Sequence, residues 1–150
     1  VILDVTHGEP CWVRVDPGQL ELEITEQVFL DDMKEATNKL WQLRDLGVSI
    51  AIDDFGVGYS SLSYLKRLPF NTLKIDRAFT RDICEDSRDV AILRAILSLS
   101  GDLNLYTVIE GVETDEQRSL LLDLGCDRAQ GFLFYKPLPA EALTARLGAS

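Results

Sequence analysis

The sequence lacks an apolar run long enough to cross a bilayer, which takes roughly 18 to 20 residues. It also lacks a leader with a basic flank, because the opening segment Val1–Val5 is short and carries no basic residue. We therefore expect a cytoplasmic location and no membrane contact by this segment. A longer parent protein could still be anchored to a membrane through other domains.

Cysteine and basic residues are also scarce. Cys11, Cys84 and Cys126 lie far apart and form no Cys-x-x-Cys pair, which excludes a disulfide framework or a cysteine zinc site and predicts buried, inert thiols. The 15 basic residues are outnumbered by 25 acidic ones, and the net charge is −10. Such a surface repels nucleic acid, so no nucleic-acid polymer is expected as a partner.

The sequence does show a regular alternation of strand and helix patterns. Segments with an alternating or largely apolar pattern predict strands that start near residues 20, 48, 72, 105 and 129. Helical spacing and capping residues predict helices over 33–43, 61–67, 90–99, 114–125 and 140–147. This order predicts an α/β fold with right-handed crossovers and a parallel sheet.

Two α/β architectures fit five βα units. One is a doubly wound open sheet, and the other is part of a (β/α)8 barrel. No Gly-x-Gly-x-x-Gly follows the first strand, which weakens a dinucleotide-binding fold. A complete barrel takes about 250 residues. If the fold is a barrel, the 150 residues here would supply about five of its eight units.

Acidic and polar residues recur at the predicted strand ends. They are Glu23, Glu26, Asp53, Asp54, Lys74, Asp76, Glu110, Glu113 and Gln130. In a parallel sheet these ends share one face, where sites are built from several strands. Carboxylates gathered there repel one another unless cations or protons are present, and their hard oxygens suit Mg²⁺ or Mn²⁺.

Each of these features also has an ordinary structural explanation. A Glu-x-x-Glu pair is usually solvated, a paired aspartate often caps a turn, and acids such as Glu110 and Glu113 favour helix N-termini. Lys74 is harder to explain in this way, since a lysine inside a short apolar strand is costly unless it faces a polar centre. Acids at four successive strand ends therefore favour a site.

Five sequence segments resemble those of EAL domains, the bacterial cyclic-di-GMP phosphodiesterases with a TIM-like barrel. The segments are 23–26 (Glu-Ile-Thr-Glu), 53–61 (Asp-Asp-Phe-Gly-Val-Gly-Tyr-Ser-Ser), 74–76 (Lys-Ile-Asp), 110–117 (Glu-Gly-Val-Glu, with Gln117) and 130–139 (Gln-Gly, then Lys-Pro-Leu-Pro). Their spacing fits as well, with 30 positions from Glu23 to Asp53. The resemblance implies that residues 1–150 are the C-terminal portion of a single EAL domain and form a partial TIM-like (β/α)8 barrel of about five parallel βα units.

The resemblance also implies roles for the acidic residues. Glu23 and Asp53 would ligate one Mg²⁺ or Mn²⁺ ion, and Asp53 with Asp54 would hold a second. Glu110, also near the metal, and Lys74 would position or deprotonate the water that attacks phosphorus. The expected reaction opens cyclic di-GMP to linear pGpG, with two metals activating water and neutralising the leaving group.

The remaining residues have supporting roles by the same resemblance. Asp76, Glu113 and Gln130 would support the metal, the water or the substrate. Glu26 would brace a mobile regulatory loop after Asp54, through which a homodimer would form. That loop consists of Phe55, Gly56, Val57, Gly58, Tyr59, Ser60 and Ser61.

The sequence departs from the family pattern in three respects. The Glu-Ala-Leu motif that names the family and a metal-binding asparagine would both precede this chain, and residues 1–18 contain neither. Val57 stands where Thr is usual, which removes a hydroxyl that could order the loop. Ile109 stands where Ala usually precedes Glu110, and this apolar change leaves the ligands intact.

Three functions are compatible with the sequence. The first is metal-dependent hydrolysis of cyclic di-GMP by the intact parent, with the fragment itself weak or inactive. The second is a degenerate module that binds cyclic di-GMP or a protein partner without cutting it. The third is a different metal-dependent barrel enzyme acting on carboxylate substrates, which leaves the glycine-rich loop and the Gln130-Gly131 segment unexplained.

Overall fold

The computed structural model describes residues 2–4, 11–13, 15–25, 33–57, 65, 68–126 and 128–148. Its strands are β1 (Ile2–Asp4), β2 (Cys11–Val13), β3 (Glu21–Thr25), β4 (Ser49–Phe55), β5 (Thr72–Ile75) and β6 (Tyr106–Ile109). Its α-helices are α1 (Met33–Asp45), α2 (Ser87–Asp102), α3 (Asp115–Asp123) and α4 (Ala140–Leu147). Short 3-10 helices cover Pro17–Gln19 and Arg77–Phe79.

Strands β3, β4, β5 and β6 form one sheet in that order, and each neighbouring pair is parallel. The prediction of an α/β fold with a parallel sheet is confirmed. β4 and β5 are rich in buried residues because a parallel sheet is covered on both faces. All four strands end toward one edge, which is where the sequence places the acidic residues.

Two of the described helices, α2 and α3, begin at side-chain caps. Thr114 and Gln117 form the predicted capping box at the start of α3. Asp86 caps α2 by accepting a hydrogen bond from the backbone N–H of Arg88, so this helix starts earlier than its apolar pattern indicated. The predicted helix over 61–67 lies outside the described residues except for Leu65, which is buried.

The fifth predicted strand, over 129–133, is shorter than expected. In the part of the chain that the structure describes, this segment has a single parallel bridge, between Ala129 and Ile109. Beyond Gln130 the chain crosses so close to Val112 that a Cβ on Gly131 would lie 2.1 Å from the Val112 carbonyl oxygen. The chain then turns, with the Phe134 N–H donating to the Gly131 carbonyl. This close crossing replaces an extended strand.

The antiparallel hairpin of β1 and β2 is a feature that the sequence pattern did not predict. Each of its strands has three residues, which is too short for alternation to be recognised. Within the described part of the chain, no helix is both long and apolar enough to cross a membrane.

Two apolar clusters pack against the sheet. One gathers around Ile50, Ile52 and Leu73, and the other around Ile75, Ile109 and Leu93. The expectation of buried thiols holds for Cys126 but is wrong for Cys84, which is exposed because it lies in the turn before α2.

Candidate metal centre

One face of the sheet carries polar side chains at regular spacing. Thr72 and Lys74 are two positions apart on β5 and therefore share a face. Each contacts a glutamate of β3, since the Thr72 hydroxyl donates to Glu21 at 2.9 Å and the Lys74 ammonium lies 2.7 Å from Glu23. The alternating Glu-Leu-Glu of β3 thus sends both carboxylates to the same side.

Lys74 is the centre of the acidic group. Its Nζ lies 2.7 Å from Glu23 Oε2, 2.9 Å from Asp53 Oδ1 and 2.9 Å from Glu110 Oε1. Its side chain is only 7% exposed. The structure therefore brings together carboxylates from the ends of β3, β4 and β6, as the sequence indicated. They surround a buried lysine on β5.

The electrostatic environment keeps Lys74 charged. Burial alone would lower its pKa, but hydrogen bonds to Glu110, Glu23 and Asp53 outweigh burial and raise that pKa above the usual lysine value. An ammonium group with a raised pKa has no free lone pair at neutral pH. It can therefore donate to all three carboxylates, as the three distances indicate.

Glu110 is the most enclosed of the three carboxylates, with its side chain 17% exposed. Burial raises its pKa, Lys74 counteracts this shift, and the neighbouring charges of Asp53 and Asp54 add to it. The side-chain amide of Gln130 donates to Glu110 Oε1 at 2.7 Å, and Lys74 contacts the same oxygen. Both contacts are made by Oε1 of Glu110. Among the described residues neither Gln130 nor Lys74 contacts Oε2, so Oε2 can bind a metal ion or a water.

The paired aspartates reach the same side through an irregularity in β4. Successive strand residues normally point to opposite faces. The β4–β5 register shifts between Ile52 and Phe55, and Asp54 adopts a left-handed backbone with φ of 53°. One oxygen from each of Asp53, Asp54 and Glu110 can then lie within 4.8 Å of the others. Three hard carboxylate donors at this separation fit a divalent cation.

Asp76 lies beside Asp54. It caps the 3-10 helix by accepting from the Ala78 N–H at 2.8 Å. Partial burial raises the pKa of Asp54, and the charges of Asp53 and Asp76 raise it further. Asp76 thus has a structural capping contact in addition to its place beside the cluster.

Glu113 and Gln130 line a pocket of about 430 Å³ next to the acidic group. Its other walls include Arg77, Tyr135 and Lys136, which the sequence analysis did not single out as site residues. Lys136 and Arg77 supply positive charge, and Tyr135 supplies an aromatic ring. These three residues come from two separate segments of the chain, so the sequence pattern did not indicate that they line one pocket.

The predicted regulatory loop is only partly described. The prediction that Phe55 belongs to the loop is wrong. Phe55 is the last residue of β4, and it is buried in the core with 3% exposure. Gly56 packs closely against the ring of Phe79, and Val57 is exposed. Glu26 and the remaining loop residues, Gly58, Tyr59, Ser60 and Ser61, lie outside the described residues.

The raised pKa values predict pH-dependent cation binding. In the metal-free protein, Glu110 and Asp54 favour folding most when they are protonated, below their ordinary pKa values of 4.5 and 3.8. This contribution is lost as pH rises through the raised folded values. Cations need the ionised carboxylates, so Mn²⁺ affinity should fall as pH is lowered from neutral through the raised pKa values of Glu110 and Asp54.

A competition titration against a fluorescent chelator would measure this dependence. Glu110→Gln should weaken this dependence, because the amide does not titrate while Asp54 still does. Equal Mn²⁺ affinity of the unmodified chain at both ends of that pH range would contradict the assignment.

A parallel βα sheet whose strand ends hold carboxylates around a buried lysine defines an α/β domain with a candidate divalent-metal centre. The sequence profile of the EAL domain family matches residues 13–137 of the 150-residue chain. The chain belongs to the EAL domain family.

A curated relative is similar over most of this chain. It is the bifunctional diguanylate cyclase/cyclic di-GMP phosphodiesterase MucR of Pseudomonas aeruginosa, which is 51% identical over 131 residues. The match covers 87% of this chain and 19% of MucR. This chain therefore spans less than a fifth of that relative's length.

Solved structures show the same fold. A structure of the PaMucR phosphodiesterase in complex with cyclic di-GMP matches with a TM-score of 0.80 and 51% identity, covering 86% of this chain and 52% of that one. The EAL domain of Mycobacterium smegmatis DcpA matches with a TM-score of 0.83 and 45% identity, covering 88% and 59%. The sheet described above is thus part of a TIM-like barrel.

A third neighbour contains a metal. The manganese and cyclic di-GMP complex of Klebsiella pneumoniae BlrP1 matches with a TM-score of 0.77 and 37% identity, covering 82% of this chain and 31% of that one.

Proposed function

We propose that this chain is the C-terminal portion of an EAL domain that hydrolyses cyclic di-GMP to linear pGpG with two divalent cations, Mg²⁺ or Mn²⁺. The observation that carries the proposal is the convergence of Glu23, Asp53 and Glu110 on Lys74, with Asp54 beside them. The family membership supports it, because relatives in this family are cyclic-di-GMP phosphodiesterases.

The chemistry of the donors fits the proposed cations. Glu23 and Asp53 would hold one ion, and Asp53 with Asp54 would hold the other, while Glu110 lies within reach of the aspartates. When bound, two such ions activate water and neutralise charge on the leaving oxygen. Oxygen ligands without histidine or thiolate match Mg²⁺ and Mn²⁺ better than softer metals.

Residues of the protein would orient the attacking water and accept its proton. In the proposed reaction a water oxygen bonds to phosphorus and the bond from phosphorus to the 3′ oxygen breaks. The 3′ oxygen takes up a proton from solvent and leaves as a hydroxyl. Glu110 is placed to take the water's proton, because its carboxylate lies beside Asp53 and Asp54, the proposed metal ligands. Gln130 and Lys74 hold its Oε1 and so fix the carboxylate plane.

The adjacent pocket would receive part of the substrate. Arg77 and Lys136 carry the positive charge that a phosphodiester needs, and Tyr135 offers a ring surface to a base. Glu113 lies on the same wall and supports the substrate in this proposal.

A binding module without catalysis is the alternative proposal. It would retain the pocket and the loop while lacking turnover, and the acidic group would serve only to bind the ligand. Retention of the acids, Lys74 and Gln130 in one constellation favours the enzyme.

Chromatography of cyclic di-GMP incubated with an intact EAL domain containing this sequence tests the proposal. We expect pGpG to form with Mg²⁺ or Mn²⁺ and to stop forming when a chelator removes them. Tight binding of cyclic di-GMP with no pGpG under any metal would instead support the binding module.

The 150-residue chain by itself should hydrolyse cyclic di-GMP weakly or not at all. It spans 52% and 59% of the two EAL structures compared above, and α4 has no buried residue. Leu147 is 70% exposed and Tyr106 59%, so apolar surface is left open and self-association is expected.

Product formation by the purified 150-residue chain at the rate of an intact domain would show this expectation wrong. Light scattering on the same sample gives its oligomeric state and separates inactivity from aggregation.

Two further properties are part of the proposal. A homodimer would form through the loop after Asp54, where the exposed Val57 offers an apolar contact. The enzyme would act in the cytoplasm, where a nucleotide second messenger is made and degraded.

A further inference from the structure

Thr80 is a fully buried polar residue just after the 3-10 helix that follows β5. Its hydroxyl oxygen lies 2.6 Å from the carbonyl oxygen of Glu110 and 3.0 Å from that of Arg77. A hydroxyl has one proton to donate, and the shorter contact marks Glu110 as the main acceptor. A side chain 30 positions away in sequence therefore holds the main chain of Glu110.

The carbonyl of Glu110 needs this partner because sheet pairing ends there. Ile75 pairs with Ile109 at the end of β5 and β6, and the Glu110 N–H still donates to Ile75 at 3.0 Å. Beyond this point the chain turns at Gly111, whose φ is 71° and where a Cβ would lie 2.4 Å from Arg77 Cβ. Thr80 supplies the hydrogen bond at the position where the ladder stops.

Gln117 extends the same network to Glu113. Its amide nitrogen donates to the Thr80 carbonyl at 2.9 Å, and its oxygen accepts from the N–H groups of Glu113 at 2.7 Å and Thr114 at 3.0 Å. The side chain is buried, with 7% exposure. Thr80 and Gln117 together bind the backbone on both sides of the Glu110–Glu113 turn.

We propose that Thr80, supported by Gln117, is a positioning residue that aims the Glu110 carboxylate at the metal centre and at the attacking water. The proposal rests on the function proposed above. When the peptide of Glu110 rotates, its carboxylate moves with it. Loss of the Thr80 hydrogen bond therefore displaces the Glu110 carboxylate while leaving the residue itself in place. Displacements of about 1 Å in such a group cost about 100-fold in rate.

A set of Thr80 variants in an intact EAL domain tests this role. Thr80→Ser and Thr80→Ala both remove the methyl group, and only the second removes the hydroxyl. We expect Thr80→Ala and the isosteric Thr80→Val to lower kcat by about 10- to 100-fold with KM nearly unchanged. Thr80→Ser should retain kcat within about threefold, even if its melting temperature falls with that of Thr80→Ala.

Ser100→Ala is the matched control. Ser100 is also buried, and its hydroxyl also donates to a backbone carbonyl, that of Ile96 at 2.9 Å. It lies at the end of α2 near the start of β6, opposite the acidic group. Its loss should lower stability while leaving kcat and Mn²⁺ affinity unchanged.

Mn²⁺ affinity, measured well below the melting temperatures of all variants, separates this proposal from the proposed function. Thr80→Ala should bind Mn²⁺ about 10-fold more weakly than Thr80→Ser. Equal affinity and equal kcat in the two variants would overturn the positioning role. If the unsubstituted domain fails to hydrolyse cyclic di-GMP, the proposed function fails, and the affinity difference alone still decides whether Thr80 positions Glu110.

Discussion

Replacing Glu110 with Gln in an intact EAL domain is expected to lower turnover of cyclic di-GMP by about 10²- to 10⁴-fold. The amide keeps the shape of the side chain but cannot take a proton from water or carry the charge that attracts a cation. Asp53→Ala should abolish turnover, because it removes a donor shared by both proposed metal positions. Steady-state kinetics with saturating Mg²⁺ measures both effects.

Glu116→Gln provides the matched control for these substitutions. Glu116 lies in the first turn of α3, is fully exposed and is outside the acidic group. Glu116→Gln changes the net charge by the same amount as Glu110→Gln, so a general electrostatic effect would appear in both variants. Near-normal turnover in Glu110→Gln or Asp53→Ala would refute the site assignment.

Replacing Lys74 with Met is expected to destabilise the metal-free protein by about 3 kcal/mol, near the lower end for a broken buried ion pair. The lower end applies because Glu23 is 46% exposed and Asp53 25%, so solvent still screens part of their charge. The variant leaves three carboxylates facing one another without their shared cation. Chemical denaturation in the presence of a chelator measures the loss.

Divalent cations should partly replace the missing ammonium group. Mg²⁺ or Mn²⁺ is therefore expected to raise the melting temperature of Lys74→Met more than that of the unsubstituted protein. Lys39→Met is the control, because Lys39 pairs with Glu35 on the exposed face of α1 and its loss should cost no more than about 0.5 kcal/mol. Equal losses in the two variants would contradict a central role for Lys74.

The sheet was predictable from the sequence because its strands are short segments with an alternating or largely apolar pattern, separated by segments with helical spacing. β3, β4, β5 and β6 begin within one residue of the predicted starts. The fifth strand was not predictable, since its interruption depends on how closely Gly131 approaches Val112. The end of β4 was also misjudged, because Asp53 and Asp54 indicated the end of a strand that continues to Phe55.

The acidic group was predictable in composition but not in geometry. Strand-end placement was enough to bring Glu23, Asp53, Lys74 and Glu110 to one edge. The three ion pairs of Lys74 depend on strand register, and the approach of Asp54 depends on an irregular backbone that alternation does not reveal. Thr80 was missed because a threonine in a turn carries no local signal of a contact 30 residues away.

The most direct test of the central claim is single-turnover hydrolysis of cyclic di-GMP in water labelled with heavy oxygen. An intact EAL domain containing this sequence, supplied with Mn²⁺, should place one labelled oxygen on the new terminal phosphate of pGpG. The label should depend on the metal, and it should appear about 10²- to 10⁴-fold more slowly in Glu110→Gln. Metal-independent cleavage, or label at the 3′ hydroxyl instead of phosphorus, would contradict a metal-dependent attack of water on phosphorus at this centre.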